Sequence, residues 1–407
     1  MLLSDLPTEI LIYILGYCNV QDVFRLKQTC KLFKTIISTS IKWILKDNAL
    51  VTNQKHPVIT HRSSALLKTN DKWRISHNWT IGKYTEKSLL YERENYLPWL
   101  HLERELVWIS RGCYVKAYRR KNGAVNVDGP VYILSGHSLS EISKFAVTED
   151  YVVGGQWDGN VWLWSRPEKL ISQIGSNFTI NSVDVFEKST VTGCRDGTVS
   201  LWAITDALSF DKRHEFNLND CVWSTMFSTD GSSVSVGTAG FTSVFPLHVL
   251  DVATGKFKTV DRTVLRKGAG IIDMKWKDDN TLLTCGYDTH VRRWDLRTGA
   301  CEQSWEDPYQ STVYCLDTDR QCTIITGTQS HGRCTLFDTR HKKYVQLYFM
   351  ESCKRRGHSS PAYCVSFDAT QLFVVTDRNL NLLDFSSKGA KIRNYSDLYF
   401  KEINIFL

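Results

Sequence analysis

Four carboxylates stand at one fixed distance from an apolar or aromatic residue. Asp158, Asp196 and Asp288 lie six residues before Trp164, Trp202 and Trp294, and Asp377 lies six before Leu383. A lone aspartate could act as a general acid or base if a nucleophile or a second carboxylate faced it. The chain offers no pattern that would supply one: no His-Glu-x-x-His, no Gly-x-Ser-x-Gly, no phosphate-binding glycine loop and no nucleophile–base pair. The stretch "LLTCGYDTHVRRWD" instead sets Asp288 between two alternating segments, where a tight turn must satisfy its own amides and a carboxylate can accept from them. These aspartates are therefore expected to hold turns, and the chain is expected not to be an enzyme.

Taking the residue that closes each unit as a ruler extends the echo along the chain. Tyr118, Trp164, Trp202, Leu250, Trp294, Phe337 and Leu383 follow one another at 46, 38, 48, 44, 43 and 46 residues. A period near 40 to 45, built of short alternating runs with Trp-Asp at its end, resembles the WD-repeat blade, as do Gly136-His137 and Gly357-His358. The resemblance implies an all-β, seven-bladed propeller, with each turn aspartate also bonding a histidine and each indole N–H finding a partner. Leu250 and Phe337 in place of tryptophan, His331 in place of a turn aspartate, and an insertion around "TAGFTSVFPLH" depart from the pattern. Such units still fold because each is held by two neighbours. Closing the ring removes exposed sheet edges. The propeller is placed at residues 84–407, with "KSLLYER" and "ELVWIS" as the first two strands of the first unit. Either residues 75–90 or the terminal "EINIFL" could close the ring, and the terminal strand is the expectation.

The first 45 residues read as helices. Pro7 and Glu9 suit a first turn, Ile10, Leu11, Ile14 and Leu15 share a face, Asn19 and Asp22 form a capping-like pair, and Val23, Leu26 and Cys30 point inward. Three short helices make a thin core, so apolar surface is left to dock on something else. Leu6, Pro7, Glu9, Ile10, Leu11, Ile14, Leu15, Asp22, Leu26, Cys30 and Trp43 follow the F-box pattern; Cys18, Thr29 and Phe33 depart from it mildly. Residues 1–45 thus resemble an all-α F-box. Residues 46–83, with Trp73 and Trp79, are too aromatic for a tether and are expected to pack as a helical linker between the two parts. The whole resembles the F-box/WD-repeat substrate receptors. That resemblance implies a Skp-family adaptor held by Leu6, Pro7, Ile10, Leu11, Ile14, Leu15, Val23, Leu26 and Phe33. Through the adaptor it implies a cullin and a RING subunit, and a protein substrate on the propeller. A WD-repeat scaffold working without a cullin is the alternative.

Composition narrows the partners further. With 407 residues, 42% hydrophobic and 23% charged, the chain is large enough for several domains or one repetitive architecture. Its net charge of +7 is dispersed, so no nucleic-acid partner is expected, and Arg119-Arg120-Lys121 and Lys354-Arg355-Arg356 read as solvated loops. No apolar run approaches a membrane span and the start "MLLSDLPTEI" is no signal peptide, which points to the cytosol or nucleus. Twelve scattered cysteines without a Cys-x-x-Cys read as reduced, mostly buried thiols, with no metal and no cofactor. The sequons at Asn78, Asn177 and Asn394 then read as chance matches.

The substrate rim is read from two series. Trp157, Arg195, Tyr287 and Ser330 stand just before the turn positions. Asn181, Trp223, Asp273, Tyr314 and Tyr363 stand just inside the first strands. Aromatic residues and arginine are the types enriched at binding hot spots, so Trp157, Arg195, Trp223, Tyr287, Tyr314 and Tyr363 are the candidate contacts. In this reading Arg195 would bond an acidic or phosphorylated group.

Overall fold

The computed structural model describes residues 3–393 apart from 19, 45–48, 137, 167–168, 242–244, 259, 261–263, 266–267 and 351–359. His137, Gly357-His358, the basic cluster at 354–356, Asn19, the side chain of Trp43 and the terminal "EINIFL" lie outside the described residues.

Helix α1 (Thr8–Gly16) starts at Pro7, whose fixed φ of −54° suits the entry and whose carbonyl accepts from the Leu11 amide at 3.0 Å. Residues four apart share a helical face, so Leu11 and Leu15 are buried, whereas Ile10 turns outward. They meet Val23 of α2 (Val20–Leu26) and Phe33, Ile36 and Ile37 of α3 (Lys31–Ile44). Cys30 is exposed, contrary to the sequence expectation, because it precedes α3 and its Sγ accepts from the Phe33 amide at 3.5 Å as a cap would.

The short helix α4 (Pro57–Arg62) and helix α5 (Thr69–Thr80) follow. Trp73 and Trp79 are six residues apart, so at about 100° per residue they point roughly 120° away from each other. Trp73 completes the core of the first three helices, while Trp79 enters a core shared with Tyr84, Tyr348, Phe367 and Phe385 of the β region. One helix thus belongs to both hydrophobic cores.

Seven antiparallel sheets form the remainder, and the inner strand of the seventh lies against that of the first, closing a ring. Blades two to six are simple meanders, such as Ile142–Val147, Tyr151–Gln156, Asn160–Ser165 and Lys169–Gly175 in the second. The seven residues used as a ruler occupy one equivalent place in the third strands. Tyr118 pairs with Val107, Trp164 with Val152, Trp202 with Thr190 and Leu250 with Val234. Trp294 pairs with Leu282, Phe337 with Ile324 and Leu383 with Leu372. All except Trp202 are buried, and each large buried side chain of this kind contributes on the order of 2 kcal/mol. That is why leucine and phenylalanine can stand in for tryptophan.

The ring closes differently from the expectation. Lys83–Tyr91 pairs antiparallel with Asn379–Asp384 and is the fourth strand of the seventh blade, with Lys391–Ile392 added outside it. "KSLLYER" is therefore not the first strand of the first blade; Leu100–Leu102 is, followed by Leu106–Arg111. Helix α5 ends three residues before Lys83, so docking Trp79 beside Phe385 delivers this strand directly to the open edge of the last sheet.

The aspartates hold their turns as expected in three blades. Asp158 accepts from the Asn160 amide at 3.1 Å, Asp196 from Thr198 at 2.9 Å and Asp288 from His290 at 3.4 Å. In the seventh blade the Thr376 hydroxyl accepts from the Asn379 amide at 3.2 Å. The carboxylate of Asp288 is paired with Arg292. Each repeat indole finds a partner: Trp202 Nε1 donates to Thr192 Oγ1 at 3.1 Å, Trp294 Nε1 to Thr284 Oγ1 at 2.9 Å and Trp164 Nε1 to the Ser135 carbonyl at 3.2 Å. Arg120, expected in a solvated loop, is instead buried in a third strand, where it pairs with Asp368 and donates to Gln371 Oε1 at 2.8 Å. Asn78 is likewise buried, its amide donating to the Phe385 carbonyl at 2.8 Å, so that sequon is structural.

Candidate functional site

The inner strands explain which side chains reach the mouth of the central channel. In blades two to six the pairing of the first strand with the second skips one residue near its start: Ser143, Asn181, Trp223, Ile272 and Tyr314. A bulge of this kind re-aims the extra side chain away from the ladder. These five line one cavity of about 290 Å³. Trp99 and Tyr363, standing just before the inner strands of the first and seventh blades, join them, with Leu97 beside Trp99.

The second series comes from the turns between strands two and three. Trp157 and Tyr287 complete the lining and are 42% and 37% exposed. Five of the six candidate substrate contacts therefore share one cup: Trp157, Trp223, Tyr287, Tyr314 and Tyr363. Arg195 does not line it, and is exposed on the rim.

Two further positions differ by one residue. Ile272, not Asp273, is the bulged residue of the fifth blade; Asp273 pairs with Cys285, is buried, and accepts from the Leu316 amide at 3.1 Å. The consecutive isoleucines Ile271 and Ile272 hide that register in the sequence. In the sixth blade the turn between strands ending at Thr328 and starting at Arg333 is one residue longer than its counterparts. Gln329, whose amide donates to Thr312 at 3.0 Å, therefore takes the place expected for Ser330. Trp99, Leu97, Ser143 and Ile272 were missed. The signal for Trp99 was its place just before "LHL", matching Tyr363 before "CVSF" one residue on.

The chemistry of the cup is that of ring faces and neutral donors. Tyr314 and Tyr363 stack with centroids 5.9 Å apart. Burial raises the hydroxyl pKa of Tyr363 to about 12, helped by Tyr314, Asp377 and Glu141, and burial also raises those of Tyr314 and Tyr287. All three remain protonated donors at neutral pH. The Asn181 amide is spent on the Val222 carbonyl at 2.8 Å, but the indole N–H of Trp223 is buried without a partner. Behind the lining, Lys144 sits 4.6 Å from the Trp99 ring centre and 3.8 Å from the Asp273 carboxylate. The thiols of Cys221, Cys285, Cys315 and Cys364 are all pushed up by burial, the opposite of an activated nucleophile. Among the described residues no cluster of His, Cys, Asp and Glu could hold a metal ion.

A second surface lies on the first three helices. Of the nine expected adaptor contacts, Leu11, Leu15, Val23 and Phe33 are buried in the helices' own core, because a thin bundle needs them there. Leu6, Ile14 and Leu26 are partly buried, and Pro7 and Ile10 are exposed. Leu3, Tyr13, Tyr17 and Leu32 were not foreseen and add to this face. The rings of Tyr13 and Tyr17 meet edge to face at 5.1 Å and their hydroxyls bond at 2.7 Å.

Comparison with known proteins agrees with both halves. An F-box domain model matches residues 3–45, and a model described as WD domain, G-beta repeat, matches residues 128–165 and 261–295. F-box/WD repeat-containing protein 4 of Mus musculus is 30% identical over 394 residues, covering 94% of this chain and 93% of its own. The Homo sapiens protein of that name is also 30% identical over 394 residues, covering 94% of this chain and 92% of its own. Angio-associated migratory cell protein of Homo sapiens is 24% identical over 240 residues, 46% of this chain and 55% of its own.

Proposed function

Since this chain belongs to the F-box/WD repeat-containing protein 4 family, we propose that it is the substrate-recognition subunit of a Skp–cullin–F-box ubiquitin ligase. The F-box holds the adaptor, and the propeller holds the protein to be ubiquitinated without doing chemistry itself. One observation carries this reading: an exposed apolar face on α1 and an aromatic cup on the propeller are set on a single body by α5, which is packed into both cores. A receptor needs this coupling, because its substrate must be held at a defined distance from the adaptor. Thiols that are free throughout the described residues suit the reducing cytosol or nucleus.

The test replaces two exposed residues of α1, Ile10→Asp with Tyr13→Ala. Adaptor co-purification and adaptor-dependent ubiquitin transfer to bound proteins should both be lost while the melting temperature stays within a degree or two of wild type. Wild-type adaptor binding by this variant would refute the reading. Adaptor binding by the native chain without any cullin-dependent transfer would leave a WD-repeat scaffold in its place.

A further inference from the structure

We propose that the adaptor-facing stripe of α1 carries one directional polar contact: the Tyr13 hydroxyl donates a hydrogen bond to an acceptor oxygen that the adaptor presents opposite it. This rests on the receptor reading and names the polar demand that the face makes on its partner. Ile10, Tyr13 and Tyr17 follow one another at three and four residues, so they form a single stripe along α1 and its C-cap. Tyr13 is 65% and Tyr17 76% exposed, yet their hydroxyls are not equivalent. Tyr17 donates to the Tyr13 oxygen at 2.7 Å, and that bond raises the pKa of the Tyr17 hydroxyl. A hydroxyl has a single proton to give. Tyr17 spends its own inside the pair. The proton of Tyr13 goes to no group among the described residues, and Glu9, four residues earlier on the same face, forms no bond with it.

In the free chain water accepts that proton. Once a partner covers the stripe the water leaves, and a donor left bare then offsets much of what the rings contribute. An oxygen opposite Tyr13 avoids the loss. Two features make the bond a strong one. Accepting from Tyr17 polarises the Tyr13 hydroxyl, so it donates better than an isolated phenol. Leu3, Ile10 and Leu32 are exposed around it, so the acceptor enters surroundings that shed water, where a hydrogen bond gains strength. Aliphatic side chains alone tolerate many docking angles, whereas a donor held by its neighbour fixes one. Two sources share the required chemistry, a side-chain carboxylate and a main-chain carbonyl of the adaptor.

The experiment titrates the full chain with a purified Skp-family adaptor by calorimetry. Tyr13→Phe keeps the ring and removes the donor, and should weaken binding by at least about threefold with unchanged melting. A loss of about tenfold or more, cancelled by a single Asp→Asn or Glu→Gln change in the adaptor, identifies the acceptor as a carboxylate. A smaller loss that no such adaptor variant cancels identifies a main-chain carbonyl. Tyr17→Phe removes only the polarisation, and should weaken binding by about twofold. Because Tyr17 acts through Tyr13, the chain carrying both changes should bind no more weakly than Tyr13→Phe alone. Wild-type affinity in Tyr13→Phe overturns the proposal, and so do losses that add in the double variant, since the two rings would then contribute independently. Failure of the receptor reading looks different: the adaptor then binds neither the native chain nor any variant, and the proposal falls with it.

Discussion

On one inner strand, Val313–Thr318, Tyr314 faces the open cup while Asp317, three residues and about 10 Å further on, receives Arg62 of α4 at 2.7 Å. The same contrast holds around the ring. At the linker mouth the Val51 amide donates to Thr323 Oγ1 at 3.0 Å, Trp79 stacks on Phe385 with centroids 3.6 Å apart and donates to the Ala369 carbonyl, and Arg120 donates to the Arg62 carbonyl at 2.7 Å. Many of the polar groups there are paired internally, although Arg120 Nε and Asp319 Oδ2 are buried without a partner. At the cup, the rings of Trp157 and Tyr287 are left partly exposed. Both mouths are aromatic, so residue type does not separate them; coverage by the linker does. One mouth is covered by the chain's own linker, and the other stands open.

Truncating an aromatic residue at each mouth should separate them most sharply. Trp79→Ala removes a fully buried indole from the core that α5 shares with the β region, and should cost about 3–5 kcal/mol, read by urea or thermal unfolding of the full chain. A loss below about 1 kcal/mol would mean that the linker mouth is no more committed than the cup.

The charged interior behind the linker should show itself through pH. Burial pushes the His101 imidazole down to about 4, with Glu103 opposing that shift and Arg62, Lys275 and Arg166 reinforcing it. The unfolded chain binds this proton at its ordinary 6.5, so as pH falls protons favour unfolding; the contribution is whole above 6.5, shrinks between 6.5 and 4, and changes no further below. The residue as a whole is only partly buried, so the loss is at most on the order of 3 kcal/mol. Stability profiles of wild type and His101→Gln should diverge across that window, and parallel profiles would contradict the assignment.

The smallest effect is expected from Trp157→Ala at the cup, within about 0.5 kcal/mol of wild-type stability, since much of that indole is already in water. A destabilisation matching that of Trp79→Ala would erase the distinction between the mouths.

The repeat is an example of what a local pattern can carry. A hydrophobic residue at one offset from a turn must land on one face of the third strand, because side chains alternate with a period of two. The positions of Tyr118 through Leu383 followed from spacing alone, and so did the turn carboxylates of three blades. Leu11, Leu15 and Trp79 were recognisable as apolar, but their partners were not, because helix periodicity states which residues share a face and not which face meets a neighbour.

Three matters were decided only when distant segments met. The closing strand came from residues 83–91 because α5 docks beside Phe385, a contact between positions some 300 residues apart that no local spacing encodes. Bulges in the inner strands, marked only by a glycine on the strand that faces them, chose Ile272 over Asp273 for the cup and brought Ser143 into its lining. Arg120 reads as one of three basic residues in a row until Asp368 and Gln371 arrive from the last blade and make burial of its charge affordable. Sequence by itself determined the units, their number and the apolar character of each face, since these depend on periodicity within a few residues. Tertiary structure alone decided which faces are spent inside the molecule and which are left for a partner, because burial is a property of the neighbours a residue acquires.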